Sequence, residues 1–195
     1  MRIISGEARG RTLFAPPGDQ TRPTSDKIRG SLFNILGGQV LDAVVLDLFG
    51  GTGALALEAL SRGAARAVIA DNSRRAIEVI SRNAANVLKD ELEARVRIVK
   101  ADYRSAISAL GERFDLVFLD PPYRLDTAPA CAQMRSAGVL EPGALVVIEH
   151  AAAVQPNPGP GYRMTDQRKY RDTMITFYRY EEQQDGGTVD LSGQL

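Results

Sequence analysis

The chain has 195 residues, 44% of them apolar, with 24 Lys+Arg against 24 Asp+Glu, so one core-forming domain with a small appendage is expected and a generic polyanion binder is not. A single cysteine, Cys131, excludes an intramolecular disulfide, and with a single histidine, His150, it argues against a Cys/His zinc site or any other resident metal. No apolar run is long enough to cross a membrane, and Met1-Arg2-Ile3-Ile4-Ser5-Gly6 lacks a signal-peptide hydrophobic region, so a cytoplasmic protein is expected.

Arg2–Ser5 and Arg11–Phe14 read as short strands around the glycine-bounded loop Gly6-Glu7-Ala8-Arg9-Gly10. Ala15–Pro23 reads as a Pro/Gly linker. Thr24 or Ser25 then caps a helix to about Leu36, with Ile28, Leu32, Ile35 and Leu36 on one side. Strands are expected at Val44–Phe49, Ala67–Ala70, Val96–Val99, Leu116–Leu119 and Ala144–Ile148. Helices are expected between them at Ala54–Ser61, Arg74–Leu88, Ser105–Leu110 and Ala128–Ala137. That alternation predicts an α/β, Rossmann-like fold whose mostly parallel sheet is covered on both faces. Tyr162–Tyr170 and Thr173–Tyr180 have no helix between them and read as a closing antiparallel hairpin, which makes the sheet seven-stranded. Residues 1–36 form a hairpin and helix extension, 37–181 the main domain, and 182–195 an acidic, disordered tail.

The first motif with chemistry is Val44-Val45-Leu46-Asp47-Leu48-Phe49-Gly50-Gly51-Thr52-Gly53. An apolar strand delivers Asp47, and the glycines turn tightly into a helix. The spacing Gly51-x-Gly53-x-x-Ala56 fits a loose nucleotide-cofactor fingerprint, and Asp71 lies twenty residues beyond Gly51, where a carboxylate accepts hydrogen bonds from a ribose diol. Glycines serving a tight turn alone would look the same, and the pattern does not separate a nicotinamide dinucleotide from another adenosine cofactor. Asp102 closes the third strand, placed to accept from an adenine amino group with Tyr103 or Asn72 flanking the ring, or simply to cap the following helix. Asp47, Asp71, Asp102 and Asp120 therefore end four consecutive strands, at the edge where open α/β sheets bind ligands.

The second motif is Asp120-Pro121-Pro122-Tyr123. Two prolines fix φ and remove two backbone donors, leaving a rigid rim of acceptors beside an aromatic ring. Such a rim suits a flat ligand carrying an amino group; a proline-stiffened loop with an incidental tyrosine is the plainer reading.

The pairing of Asp-Leu-Phe-Gly-Gly-Thr-Gly with Asp-Pro-Pro-Tyr resembles the S-adenosylmethionine-dependent amino-methyltransferases. Four blocks in order, MRIISGEARGRTL, TRPTSDKIRGSLFNIL, DLFGGTGALALEALSRGA and FLDPPY, resemble the bacterial RsmD family of small-subunit ribosomal RNA guanine-N2 methyltransferases across residues 1–180. One departure is visible: where the family has Glu-x-Asp after the second strand, this chain has Asp71-Asn72-Ser73.

The resemblance implies a methyltransferase fold and S-adenosylmethionine as cofactor, with S-adenosylhomocysteine as product. The cofactor would be held by Asp47, Phe49, Gly50, Gly51, Gly53, Asp71, Asn72, Asp102 and Tyr103. It implies catalysis at Asp120, Pro121, Pro122 and Tyr123. There the Asp120 carboxylate and the Pro121 carbonyl would hold the amine hydrogens, and Tyr123 would stack on the base. The product aminium is strongly acidic, so no histidine base is required. The implied partner is small-subunit ribosomal RNA, free or in an assembling subunit, bound by a monomer. Residues 1–30 carry six basic groups against three acids, and the RNA contacts are expected at Arg9, Arg11, Arg22, Pro23, Thr24 and Arg29. Three competing readings are a nicotinamide dehydrogenase, a DNA adenine methyltransferase and a non-catalytic RNA-binding module. Within the amino-methyltransferases, adenine N6 or a glutamine side chain is the alternative acceptor.

Overall fold

A computed structural model of the chain describes residues 1–15, 26–122 and 124–182. In chain order the elements are α1 (Asp26–Leu36), β1 (Val44–Asp47), α2 (Ala54–Ser61), β2 (Arg66–Asp71), α3 (Arg74–Leu88), α4 (Leu92–Arg95) and β3 (Val96–Lys100). They continue with α5 (Tyr103–Ser108), β4 (Phe114–Leu119), α6 (Ala128–Ser136), β5 (Leu140–Ala151), β6 (Tyr162–Tyr170) and β7 (Thr173–Tyr180). The strands form one seven-stranded sheet in the order β3-β2-β1-β4-β5-β7-β6. Strands β1 to β5 pair in parallel, while β7 runs antiparallel to β5 and β6 to β7.

Side chains alternate across this sheet, so each central strand feeds two cores and must be apolar on both faces. Val45, Leu116, Phe118 and Val147 pack with Leu32, Phe33 and Leu36 of α1 and Leu57 and Leu60 of α2. Leu46, Val117, Leu119, Val146 and Ile148 pack on the other side with Ile107 of α5 and Met134 of α6. The sequence order reverses between β1 and β4. A crevice therefore opens at their carboxyl ends, the place where ligands bind in open α/β sheets.

Several local expectations change. Strand β5 runs over Leu140–Ala151, well beyond the apolar Ala144–Ile148, because its start pairs with β4 at Phe114↔Leu140 and its end with β7 as far as Ala151↔Thr173. Partner strands, rather than composition, set its length. Helix α5 starts at Tyr103 rather than Ser105, since Asp102 caps it. The 3-10 turns at Gly37–Val40 and Lys89–Glu91 and the single turn α4 had no signal in the sequence. The expected strands Arg2–Ser5 and Arg11–Phe14 are not regular strands; they meet in one antiparallel bridge, Arg2↔Thr12, flanked by hydrogen bonds such as Ile3 N–H to the Arg11 carbonyl at 2.9 Å. The linker from residue 16, the capping residues Thr24 and Ser25, and the tail from residue 183 lie outside the described residues.

The N-terminal segment bonds instead to α2. Ile3, Ala8 and Leu13 are buried in the same core as α1 and α2. Glu58 of α2 accepts the Ile4 N–H at 2.8 Å and the Ser5 N–H at 3.1 Å. The Ser61 carbonyl accepts the Glu7 N–H at 2.8 Å, and its hydroxyl accepts the Ala8 N–H at 3.0 Å. Gly6 has φ +85°, and a Cβ there would stand 1.6 Å from the Ser61 carbonyl oxygen, so only glycine permits this approach.

Arg29, expected to touch RNA, is instead a buried residue with 0% exposure. Its guanidinium donates to the Arg2 carbonyl and to Asp26 Oδ1 (3.0 Å), and its Nε lies 3.6 Å from Glu58 Oε2. A buried arginine needs such partners, and these hold it away from any phosphate. Arg11 is also occupied: its Nη1 donates to the Asn86 and Val87 carbonyls at 2.9 and 2.6 Å, satisfying the end of α3.

Candidate active site

Strand β1 ends in Asp47, and Gly50–Gly53 return the chain into α2. The Gly50 N–H donates to the Ala70 carbonyl of β2 at 2.9 Å, and a Cβ on Gly50 would fall 2.5 Å from Ile69 Cγ2. Gly51 and Gly53 hold φ of +54° and +76°, the left-handed region, with Gly53 at the start of α2. The turn is thus pressed against β2, and its outer surface faces the crevice.

Asp71, at the end of β2, ties that turn down. Its Oδ2 accepts the Gly51 N–H at 2.9 Å and its Oδ1 accepts the Ser73 N–H at 2.8 Å. Each carboxylate oxygen retains a second lone pair, so a ribose hydroxyl can be accepted as well. Ser73 caps α3 by accepting the Ala76 N–H at 3.3 Å, which gives the Asp71-Asn72-Ser73 sequence a structural use. Asn72 beside it is exposed. Asp71→Ala should weaken S-adenosylmethionine binding by roughly 10- to 100-fold, the loss of hydrogen bonds to a charged group worth about 1.5–3 kcal/mol. Calorimetric titration checks this, and unchanged affinity would remove Asp71 from the site.

Asp47 is 1% exposed, and its Oδ1 has no hydrogen-bond partner among the described residues. Burial pushes its carboxyl up to about 7, against the pull of the Phe49 and Ala56 backbone N–H groups and with a smaller upward push from Asp71. The folded protein therefore keeps this proton where the unfolded chain, near 3.8, has released it. Stability from this group is full below pH 4 and is lost as pH rises to about 7. Melting temperatures of the ligand-free protein between pH 4.5 and 8 should show Asp47→Asn gaining on the wild type as pH rises. Parallel curves would show that Asp47 is ionised throughout.

Asp102, after β3, caps α5, accepting the Arg104 and Ser105 N–H groups at 2.9 and 3.2 Å and the Ser105 hydroxyl at 2.8 Å. These bonds, the Ser105 hydroxyl's first, hold its carboxyl below the usual range. Tyr103 follows, and its ring lies 5.9 Å from that of Phe49 at 44°, so two half-buried aromatics from the ends of β1 and β3 meet above β2. The Arg104 guanidinium lies 5.4 Å from the Tyr103 ring centroid, and its Nε donates to the Tyr103 hydroxyl at 3.1 Å.

Strand β4 carries the second motif to the same edge. Phe118 registers with Asp47, and Asp120 follows two residues later on the same sheet face. Asp120 is half-buried, Pro121 buried and Pro122 exposed, with the Pro122 carbonyl accepting the Leu125 N–H at 2.8 Å. Beside the prolines an open cleft separates Pro121, Pro122 and Leu125 from Glu149 and His150 near the end of β5 and Pro156 beyond it. Tyr123 lies outside the described residues, as do Arg22, Pro23 and Thr24. Among the described residues no three His, Cys, Asp or Glu side chains are grouped to hold a metal. Likewise no described helix is long and apolar enough to cross a membrane.

The family described as Conserved hypothetical protein 95 matches residues 1–179. YlbH of Bacillus subtilis (strain 168), whose name marks it as a provisional rRNA methyltransferase, is 34% identical over 92% of this chain and 98% of its own. Ribosomal RNA small subunit methyltransferase D of Escherichia coli (strain K12) is 40% identical over 64% of this chain and 61% of its own length. The chain belongs to the RsmD family. The solved structure of yhhF from Escherichia coli shares the fold, with a TM-score of 0.83 at 30% identity over 94% of this chain and 99% of that one.

This RsmD family member thus has the Rossmann-like fold of S-adenosylmethionine-dependent methyltransferases, and its residues fit that cofactor. Asp47 Oδ1 is a buried polar atom that a nearby cationic group would satisfy and ionise, Asp71 has lone pairs open to a ribose diol, and the Phe49–Tyr103 pair would give a purine an apolar wall. Of the arginines expected on RNA, Arg9 alone is both described and exposed. Arg163 and Arg168 in the terminal hairpin are paired with Glu181 and Asp166. Cys131 is buried in α6 and its thiol is pushed up to about 12, chiefly by burial. His150 packs at the end of β5, its Nε2 2.8 Å from Thr176 Oγ1. Sequence reasoning missed Glu58 as the anchor of the N-terminal segment and did not single out Glu149, which lines the cleft. A lone glutamate in the apolar run Ala54–Ser61 was the available signal for the first.

Proposed function

We propose that this chain transfers a methyl group from S-adenosylmethionine to the exocyclic N2 amine of a guanine in small-subunit ribosomal RNA. The observation that carries the reading is the adjacency of two strand ends. The Asp47 and glycine turn lies on β1, and Asp120-Pro121-Pro122 lies on β4 immediately beside it, at the switch point of the sheet. The Escherichia coli and Haemophilus influenzae relatives named Ribosomal RNA small subunit methyltransferase D support ribosomal RNA as the substrate.

The cofactor supplies a methyl group already activated on a sulfonium. The protein's work is to align an amine with it and to manage the charge that follows. The guanine N2 lone pair is delocalised into the ring. The Asp120 carboxylate and the Pro121 carbonyl accept the two amine hydrogens and favour a pyramidal nitrogen. As the N–C bond forms and the methyl–sulfur bond breaks to leave S-adenosylhomocysteine, positive charge grows on that nitrogen; the same acceptors stabilise it, and the aminium then gives up one proton to Asp120 or to water. Tyr123 stacks on the base and so offsets part of the cost of unstacking it from folded RNA. Arg9, with Arg22, Pro23 and Thr24, positions the RNA backbone. Asp102 accepts from the adenine amino group with the lone pairs its capping bonds leave open.

Mass spectrometry of ribosomal RNA from cells with and without the gene tests this directly. One N2-methylguanine absent from small-subunit RNA of the deletion strain is the expected result. Its persistence, or the loss of a methyladenine instead, would reject the reading.

A further inference from the structure

The acceptors at Asp120 and Pro121 suit any exocyclic amine, so they do not choose among bases. The ring atom beside the amine does. Guanine N2 has the N1–H donor on one side and bare N3 on the other, whereas adenine N6 and cytosine N4 each have a bare ring nitrogen on one side and carbon on the other, with no ring N–H beside the amine. An acceptor beside the amine site would therefore welcome guanine and repel the other two.

The fold places one there. Strands β4 and β5 are parallel neighbours, and their last registered pair is Leu119↔Ile148. The next residues are Asp120 and Glu149, on strands spaced about 4.8 Å apart. Alternation puts both on one face of the sheet, since Phe118 and Val147, two residues earlier, share a single core. That is also the face of Asp47, two residues beyond Val45 of the same core. Glu149 is half-buried and lines the cleft together with Pro121 and Pro122. The cleft's outer rim is apolar, with Leu125 38% and Val154 52% exposed, as suits the flat faces of a base or its neighbour.

We propose that Glu149 selects guanine: its carboxylate accepts the ring N1–H while Asp120 and the Pro121 carbonyl hold the N2 amine. The inference rests on the methyl-transfer reading above and adds the residue that decides the base.

2-Aminopurine separates the two readings, because it carries the same amine at C2 but has no N1–H. The substrate is small-subunit ribosomal RNA, free and assembled into subunits, ligated to carry guanine or 2-aminopurine at the nucleotide found by mass spectrometry. In single turnover the wild type should prefer guanine by roughly 100-fold or more, as a site built to bind an N–H rejects an analogue lacking it. Glu149→Gln, whose amide can donate to a bare N1, should slow guanine and bring the ratio within about tenfold, with S-adenosylmethionine affinity unchanged. Equal wild-type rates on the two bases would overturn the assignment, whether or not the variant folds, and so would a wild-type ratio in Glu149→Gln. No methylation of the guanine RNA at all would overturn the proposed function itself, and the selection role with it.

Discussion

Asp120→Ala is expected to fold, to bind S-adenosylmethionine nearly as the wild type does, and to lose most methyl transfer. Asp120 stands two residues beyond the partner of Asp47, on the strand next to the glycine turn. In the proposed mechanism it meets the substrate amine rather than the cofactor, so its removal is felt most when charge develops on nitrogen. Removing one preorganised partner of a developing charge costs about 2.7–4 kcal/mol in oxyanion holes, which here means roughly a hundred- to thousand-fold in rate. Asp120→Asn keeps the shape and one acceptor oxygen and should fall between the two. Single-turnover methylation and cofactor titration on both variants decide it. A near wild-type rate for Asp120→Ala would reduce the motif to a stiff loop.

Glu58→Ala should produce the largest loss of stability. Glu58 is 0% exposed and serves the Ile4 and Ser5 backbone N–H groups, Arg62 Nε at 2.7 Å and the buried Arg29. Removing a buried charge and leaving its partner costs about 3–5 kcal/mol, because Arg29 would keep its desolvation and lose its counter-charge. For a chain of this length that corresponds to a fall of roughly 6–20 °C in melting temperature. Glu58→Gln retains an acceptor oxygen and should lose less. Calorimetric or dichroism melts of the three proteins check the order. A Glu58→Ala protein melting within a degree or two of the wild type would show that the apolar residues and the bonds to Ser61 hold the N-terminal segment without Glu58.

The two predictions differ in how they could be reached. The Asp120 motif stands out in the sequence because two consecutive prolines beside an acid are not what an ordinary loop needs. The strand–glycine–helix pattern around Asp47 was legible for a similar reason, since a tight turn between apolar segments restricts residue choice. Glu58 and Arg29 were not legible in this way. An arginine near a basic N-terminus reads as surface charge, and only the packing of α1, α2 and the N-terminal segment encloses it. Asp102 shows the intermediate case: its place at the end of β3 followed from the pattern, but its capping bonds to Ser105 depend on where α5 begins.

Local constraints account for what the sequence by itself determined. Period-two and period-3.6 apolar patterns, glycines at left-handed turns and prolines without donors each act within a few residues. They therefore specified the main strands and helices of the sheet domain, though not all their ends, together with the seven-stranded α/β class and the acids at or just beyond four strand ends. Register across the sheet and burial of a long polar side chain depend on segments distant in the chain, and only the tertiary structure decided them. The pairing of β4 with β5 sets Glu149 beside Asp120, from residues twenty-nine positions apart. The docking of residues 3–8 on α2 turns Glu58 from a misplaced charge into the acceptor that anchors the N-terminal segment, because its partners arrive from more than fifty residues away.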